Sequence, residues 1–228
     1  MLRCSPYGSY PYIIYFVHIY RLKLLARATR IGMAETASVR VGHCCPDAPN
    51  VDVHVDGEIA FEDVPFETIS EYAELPAESH EIAVTPHGDD EAVLDLTVEL
   101  EADRAYSALA TGMLAEAECT VLSDAPGDVE ADQTHVRFVH ASPDAPAVDV
   151  RVANGGPTLC ENIEFRSASE YVPVDAGSYD LEVLPHGSDD IALSLPDTEL
   201  DGGAAVSAIA VGQAGDDSLG AVFADDTQ

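Results

Sequence analysis

The sequence predicts an all-β fold, in the form of two tandem immunoglobulin-like (Greek-key) β-sandwich domains. Apolar and polar residues alternate with a period of two, as over Leu94–Glu101, and this period indicates strands with one buried face. Asp56-Gly57 and Asn154-Gly155 follow such runs, and these residue types tolerate the positive φ that tight hairpin turns need. Strands that recur roughly every 8 to 12 residues are typical of sandwiches.

A long internal repeat sets the domain organisation. The segment Arg40–Val53 (RVGHCCPDAPNVDV) returns 97 residues later as Arg137–Val150 (RFVHASPDAPAVDV), and shorter matches follow at nearly the same spacing. Asp, Pro and Gly fill the stretch between the copies, which is typical of a linker. The predicted parts are an N-terminal extension over 1–34, repeat 1 over 35–124, an acidic linker over 125–134 and repeat 2 over 135–228.

The chain is strongly negative, with 42 Asp and Glu residues against 10 Lys and Arg and a formal net charge of -32. Binding to nucleic acid or to an anionic membrane surface needs clustered cations, so we expect neither partner. Molar salt shortens the Debye length to about 3 Å and screens most of the self-repulsion, so the composition resembles that of proteins from halophilic archaea. An acidic calcium-buffering protein is the alternative, although no EF-hand loop is present.

The first 32 residues differ in composition from the rest. Five of the 10 basic residues lie within 1–30, and the first acid is Glu35. We interpret Met33 as the true start and the preceding residues as an upstream extension. The alternative is an N-terminal anchor built on Tyr12–Tyr20 (YIIYFVHIY). That apolar run is much shorter than the ~20 residues of a membrane span, so we expect no membrane insertion.

The repeated motifs resemble those of a known family. HASPDAPAVDV at 140–150, VPVDAGSYDLEVLPHG at 172–187 and AVSAIAVG at 205–212 are similar to the domain-of-unknown-function 4397 family. The resemblance covers about residues 38–124 and 135–225 and implies a small all-β module, often in tandem and often on secreted or cell-surface proteins. It implies no activity and no catalytic residues. Because the chain shows no clear export signal, we expect a cytoplasmic location, with the cell surface or secretion as the alternative.

Histidine and aspartate residues recur at equivalent positions of the two repeats. Such sets could form a metal or acid–base site. We favour structural roles, because a histidine at a strand end can bond the turn that follows and the aspartate of a Pro-Asp-Ala-Pro segment can bond backbone amides. The candidate binding residues are His43, Asp47, Asp52 and His87 in repeat 1 and His140, Asp144, Asp149 and His186 in repeat 2.

Two of the five arginines that follow residue 30, Arg40 and Arg137, are also repeat-equivalent. By the period-two alternation, both side chains point outward from the first strand of their repeats, and Asp52 and Asp149 point outward from the next strand. We therefore expect the cross-strand ion pairs Arg40–Asp52 and Arg137–Asp149. An exposed pair would contribute only about 0–1 kcal/mol, and burial against the other repeat would make it matter more.

The remaining motifs point away from catalysis. No cysteine of one repeat has a cysteine at the equivalent position of the other, and free thiols suit a reducing cytoplasm. Nucleophile-elbow, Walker and dinucleotide motifs are absent from the sequence. We predict a non-enzymatic binding or structural module adapted to high salt, with no cofactor or resident metal and with a protein or small ligand as partner. The alternatives are a divalent-cation-binding module and a hydrolase that uses the paired His and Asp residues.

Overall fold

The computed structural model describes residues 35–216 and 218–227, in which every regular element is a strand or a short 3-10 turn. The predicted all-β sandwich is confirmed. The predicted extension over 1–34, with the start at Met33 and the apolar run Tyr12–Tyr20, lies outside the described residues. None of the helical turns in the described part is long and apolar enough to cross a membrane.

The two repeats contribute equivalent strands in the same order. Repeat 1 contains β1 (Thr36–Cys44), β2 (Val51–Val55), β3 (Glu58–Val64), β4 (Thr68–Ile69), β5 (Ala73–Pro76), β6 (Ser79–Pro86), β7 (Leu94–Glu99), β8 (Ala105–Thr111) and β9 (Glu118–Ser123). Repeat 2 contains β10 (Gln133–His140), β11 (Val148–Val152), β12 (Thr158–Ile163), β13 (Val172–Asp175), β14 (Gly177–Pro185), β15 (Leu193–Leu200), β16 (Ala204–Val211) and β17 (Gly220–Asp225). The 3-10 turns are Leu114–Glu116 and Ala214–Asp216.

Each repeat folds into two sheets. In repeat 1 the order β3-β2-β6-β7 makes an antiparallel outer sheet, and β4-β1-β8-β9, with β5 also paired to β1, makes the inner sheet. Strand β1 runs parallel to β8, whereas its other neighbours are antiparallel. Repeat 2 has the outer sheet β12-β11-β14-β15 and the inner sheet β13-β10-β16-β17, with β10 parallel to β16. Consecutive strands such as β1 and β2 therefore lie in different sheets.

The first strand of each repeat is buried on both faces. Val39 and Val41 pack into the sandwich core of repeat 1, and Val136 and Phe138 do the same in repeat 2. The opposite faces of the two inner sheets share a further hydrophobic core, whose buried members come from both repeats: Cys44, Leu109, Val139, Ala141, Ile209, Val211 and Ala224. The described residues accordingly form one compact unit.

The two predicted hairpin signals have different outcomes. Asp56 and Gly57 both have positive φ, 53° and 78°, and form the two-residue turn that pairs Val55 with Glu58. Asn154 and Gly155 also have positive φ. However, repeat 2 resumes pairing only at Thr158, because Pro157 and Gly156 lengthen the loop. The tight turn is therefore confirmed in repeat 1 and wrong in repeat 2.

Candidate functional site

His43 and His140 close the loop that follows the first strand of their repeats. His43 Nε2 donates to the Pro49 carbonyl at 3.0 Å, and its Nδ1 accepts the amide of Cys45 at 3.3 Å. One nitrogen donates and the other accepts, so this pattern fits a neutral imidazole. Burial lowers the pKa of both His43 and His140, and the bond to the loop carbonyl opposes this shift only in part. His140 makes the same two bonds, to Pro146 and Ser142.

Asp47 and Asp144 tie the same loop to the 3-10 turn after the penultimate strand. Asp47 Oδ1 accepts the Leu114 amide at 2.7 Å. Asp144 accepts the amides of Ala214 at 2.7 Å and Gly215 at 2.8 Å. For Asp144, desolvation raises the pKa, but these backbone bonds outweigh it and leave the pKa below its ordinary value. The carboxylates of Asp47 and Asp144 therefore hold this loop against the 3-10 turn through hydrogen bonds to backbone amides.

Asp52 and Asp149 form a second, separate set with the histidines of the Pro-His-Gly turns. Asp52 accepts the amide of Asp63 at 2.7 Å and Nδ1 of His87 at 2.9 Å. Asp63 lies in the left-handed region, with φ of 56°, at a bulge in the β2–β3 pairing. Desolvation raises the pKa of Asp52, but its hydrogen bonds to Asp63, His87 and Gly88 together lower it. The carboxylate thus fixes the bulge and the neighbouring turn.

Repeat 2 reproduces this second set. Asp149 accepts the Asn162 amide at 2.7 Å and Nδ1 of His186 at 2.8 Å. Asn162 has a φ of 55°, as Asp63 has in repeat 1. Within residues 35–216 and 218–227, no group of three His, Cys, Asp or Glu side chains is placed to hold a metal ion. Of the predicted residues, the structure therefore pairs Asp52 with His87 and Asp149 with His186, whereas the other four bond backbone groups and not each other.

The predicted pairs Arg40–Asp52 and Arg137–Asp149 are wrong. Strands β1 and β2 lie in different sheets, so their outward faces point to opposite sides of the sandwich and no cross-strand contact is possible. Arg40 instead reaches repeat 2, where Nη2 binds the Asp226 carboxylate and Nη1 donates to the Asp225 carbonyl at 2.8 Å. The alternation of side chains along β1 could not predict this partner, because it shows which residues share a face and not what covers that face.

Arg137 makes the reciprocal contact. Its Nη2 binds Asp124 of repeat 1 at 2.6 Å, and its Nη1 donates to the Ser123 carbonyl at 3.0 Å. The two carboxylates have no exposed side-chain surface, and the two arginine side chains are 3% and 5% exposed. Each repeat therefore supplies an arginine from its first strand and an aspartate from just after its last strand, and the two repeats exchange them.

Serine and tyrosine side chains complete this Arg–Asp cluster, which we define as Arg40, Arg137, Asp124, Asp226, Ser107, Ser207, Tyr72 and Tyr171. In each repeat the serine accepts from the arginine Nε of the same repeat, at 2.7 and 2.9 Å, and donates to that repeat's aspartate. Each tyrosine hydroxyl donates to the same aspartate, at 2.7 and 2.6 Å, and the guanidinium lies over its ring. Burial and the neighbouring carboxylates raise the pKa of both tyrosines.

The cluster is electrically balanced and fully bonded. Two guanidinium groups face two carboxylates. The longer contacts, Arg40–Asp124 at 3.9 Å and Arg137–Asp226 at 3.7 Å, lie within one repeat each and link the Arg40–Asp226 pair to the Arg137–Asp124 pair. Among the described residues, no buried side-chain nitrogen or oxygen lacks a hydrogen-bond partner. A buried ion pair is stable only when its remaining polar atoms are bonded in this way. Sequence reasoning missed Asp124 and Asp226, although an aspartate after the last strand of each repeat was a visible signal.

The described cysteines offer no nucleophile. Cys44, Cys45, Cys119 and Cys160 are free thiols. Burial raises the pKa of Cys44 and Cys160 to about 12 and that of Cys45 and Cys119 to about 11. A thiol is reactive as the thiolate, so these groups are poor nucleophiles at neutral pH.

A groove of about 680 Å³ lies beside the linker. Its walls come from Ala102–Ala105 and Ser123–Val129 of the first repeat and the linker, and from Gly203, Ala205 and Thr227 of the second repeat. The ionisable residues that line it are Asp103, Arg104, Asp124 and Asp128. The groove is therefore a concave surface to which both repeats contribute.

Comparison with known proteins gives one family. The model of a family described as "Domain of unknown function (DUF4397)" matches residues 37–151 and 152–228. The boundary between the matches falls at the end of β11, inside repeat 2 rather than in the linker. No curated protein matches the chain.

Two solved structures show only a remote likeness. A CBM26 domain from Eubacterium rectale Amy13K, solved with maltoheptaose, is 10% identical with a TM-score of 0.26 and covers 85% of this chain and 100% of its own. A structure titled "Alpha-glucan binding by a streptococcal virulence factor" is 12% identical with a TM-score of 0.26 and covers 82% of this chain and 97% of its own. TM-scores this low carry no conclusion about a shared ligand.

Proposed function

Because the chain belongs to the DUF4397 family, whose description names no activity, we propose a function from the geometry: a non-enzymatic binding module in which the two repeats act as one compact unit in concentrated salt. The observation that carries this proposal is the role of the recurring ionisable residues. His43, Asp47, Asp52 and their counterparts hold loops, and Arg40 and Arg137 join the repeats. The repetition of these residues is thus explained by the fold, without any catalytic step.

The surface charge supports the high-salt part of the proposal. Arg40 and Arg137 are buried, so the permanently positive side chains at the surface of the described residues are Arg104, Arg151 and Arg166. All 42 acids of the chain lie at or after Glu35. Such a surface repels itself unless dissolved ions screen it. We place the ligand-facing surface at the groove beside the linker, since it is shared by both repeats.

Calorimetric titration separates this proposal from the divalent-cation alternative. With CaCl2, ZnCl2 or MnCl2 as the titrant in 2–3 M KCl, roughly the range where exposed charges are fully screened, we expect no saturable heat. Screening removes nonspecific attraction, and the His–Asp pairs already use their carboxylates for backbone amides.

A matched pair of double variants decides the source of any heat. D52N/D149N removes both carboxylates of the His–Asp pairs, and D90N/D190N removes the same charge from exposed loops. Saturable binding of one or two ions per chain that D52N/D149N abolishes and D90N/D190N preserves would contradict the proposal and establish the cation module.

A further inference from the structure

The contact between the inner sheets has the form of an interface between two separate partners. Arg40 of repeat 1 binds Asp226 of repeat 2, and Arg137 of repeat 2 binds Asp124 of repeat 1. In a two-fold symmetric dimer, a given residue of each partner contacts the same residue of the other, so the contacts are reciprocal in this way. Here both partners lie in one chain.

The apolar side chains at this contact are buried as fully as those in the core of a domain. Leu109 from repeat 1 and Ile209 and Val211 from repeat 2 are each at most 1% exposed. The strands that carry them, β8 and β16, occupy equivalent positions in their sheets. Association that buries apolar surface around fully bonded charges needs no covalent connection in principle.

The Arg–Asp cluster by itself does not choose between partners. Both repeats carry the same arginine, serine, tyrosine and aspartate, so these groups could equally join two copies of repeat 1 or two copies of repeat 2. The choice must come from positions at which the repeats differ. Arg166 and its repeat equivalent Glu67 are such a pair, and both lie in the left-handed region with φ of 64° and 63°.

Arg166 reaches across into repeat 1. Its guanidinium donates to the Glu116 carbonyl at 2.6 Å and to the Thr111 carbonyl at 3.4 Å, and it pairs with the Glu118 carboxylate at 2.9 Å. Gly112 leaves room for it, because a Cβ there would lie 2.7 Å from Nη2 of Arg166. The groups of repeat 1 that bond the guanidinium, at Thr111, Glu116 and Glu118, are therefore all acceptors.

Glu67 holds the reciprocal place. Its Oε1 lies beside Gly220 of repeat 2, 3.7 Å from where a Cβ on that glycine would be. If two copies of repeat 1 met through the same faces, Glu67 would replace Arg166 and would oppose the Glu118 carboxylate and two carbonyls. Like charges and unmatched acceptors at a contact disfavour association.

We propose that the inner faces of the two repeats form a self-sufficient interface, in which repeat 1 recognises repeat 2 as a partner without the linker and Arg166 makes repeat 1 prefer repeat 2 over a second copy of repeat 1. The partner that fits this surface is a repeat with an arginine on its first strand, an aspartate after its last strand and a cation at the position of Arg166. This inference does not depend on the proposed binding function.

The test starts from the full chain. A protease site replaces residues 127–130 of the linker, the folded protein is cleaved, and the products are measured by native mass spectrometry and size exclusion in high salt. We expect a noncovalent one-to-one complex of the two halves at micromolar concentration. Halves that separate, or that form repeat 1 pairs as readily as mixed pairs, would overturn the proposal.

The role of Arg166 has its own matched control. R166Q and R151Q remove the same charge from repeat 2, but Arg151 pairs with Glu182 within the outer sheet. We expect R166Q to weaken the association of the cleaved halves at least tenfold and R151Q to change it less than twofold. Equal effects of the two variants would show that Arg166 does not determine the pairing.

Discussion

At the scale of single residues, the Arg–Asp cluster is the feature with the largest consequences for stability. Arg40 and Asp226 are 2% and 0% exposed, and their charges are compensated only inside the protein. Removal of one partner of a buried pair leaves an uncompensated charge in a medium of low dielectric constant. Dissolved salt does not reach such a pair, so molar KCl cannot replace the missing partner.

We expect D226N to lower the free energy of unfolding by about 3 kcal/mol, because Arg40 loses its direct counter-charge. Urea unfolding followed by circular dichroism in 2 M KCl measures this loss. D225N is the control, since it removes the same charge from the neighbouring exposed side chain. A loss for D226N no larger than that for D225N would contradict the account of the cluster.

His80 makes a pH-dependent contribution to the stability of repeat 1. The equivalent position of repeat 2 makes no such contribution, because it holds Tyr179. Burial lowers the pKa of His80, but the bonds of its ring to the Pro76 carbonyl at 2.9 Å and to Asp56 at 2.8 Å outweigh this and raise the pKa above 6.5. The protonated form is therefore favoured in the folded state. Its contribution to stability is fully present below pH 6.5 and is lost as the pH rises through the raised pKa.

The difference in unfolding free energy between the wild type and H80Q should accordingly be larger at pH 5.5 than at pH 9. Urea unfolding of both proteins across this range, at constant KCl, gives the difference directly. The other histidines are common to both proteins and cancel. A difference that is flat or grows with pH would contradict the assigned protonation.

At the scale of elements, the central strand β1 decides how the repeats combine. Its period of two was readable from the sequence, but its parallel pairing with β8 was not, because periodicity gives the faces of a strand and not its neighbours. Because it carries an arginine, the second face of β1 is predicted to be exposed to solvent. It is in fact covered by repeat 2, and Gly42 lies on this covered face between Ile69 and Leu109.

We expect G42A to destabilise the fold by about 1–3 kcal/mol, because an added Cβ would lie 2.5 Å from side-chain carbons of both Ile69 and Leu109. Thermal or urea unfolding in 2 M KCl measures the effect. G177A is the matched control: this strand glycine of β14 would meet only Tyr179, at an ordinary 3.8 Å. Equal stability of G42A and wild type would mean that Ile69 and Leu109 do not close over Gly42 as tightly as described.

At the scale of the whole molecule, two electrostatic regimes coexist. Among the described residues, the interior charges are few, paired and insensitive to salt, whereas the surface carries the large excess of acids. Salt therefore acts on the surface alone. The free energy of folding should rise with KCl concentration until the Debye length is shorter than the spacing of the carboxylates.

We expect the midpoint of thermal unfolding to rise by roughly 10 °C or more between 0.2 and 3 M KCl, as relief of several kcal/mol of surface repulsion would produce in a protein of this size. Circular dichroism melts give the midpoint. Sucrose at matched water activity is the control, because it stabilises by exclusion without screening. A midpoint that does not change with KCl would contradict the high-salt adaptation.

The sequence by itself determined the strands, the duplication, the loop-holding roles of the histidines and the acidic surface. These follow from local patterns, since alternation, turn residues and composition act over a few neighbouring positions. Only the tertiary structure decided the partners of Arg40 and Arg137 and the union of the two repeats. Arg40 and Asp226 are 186 residues apart, and no pattern within one repeat shows that the outward face of its first strand is covered by the other.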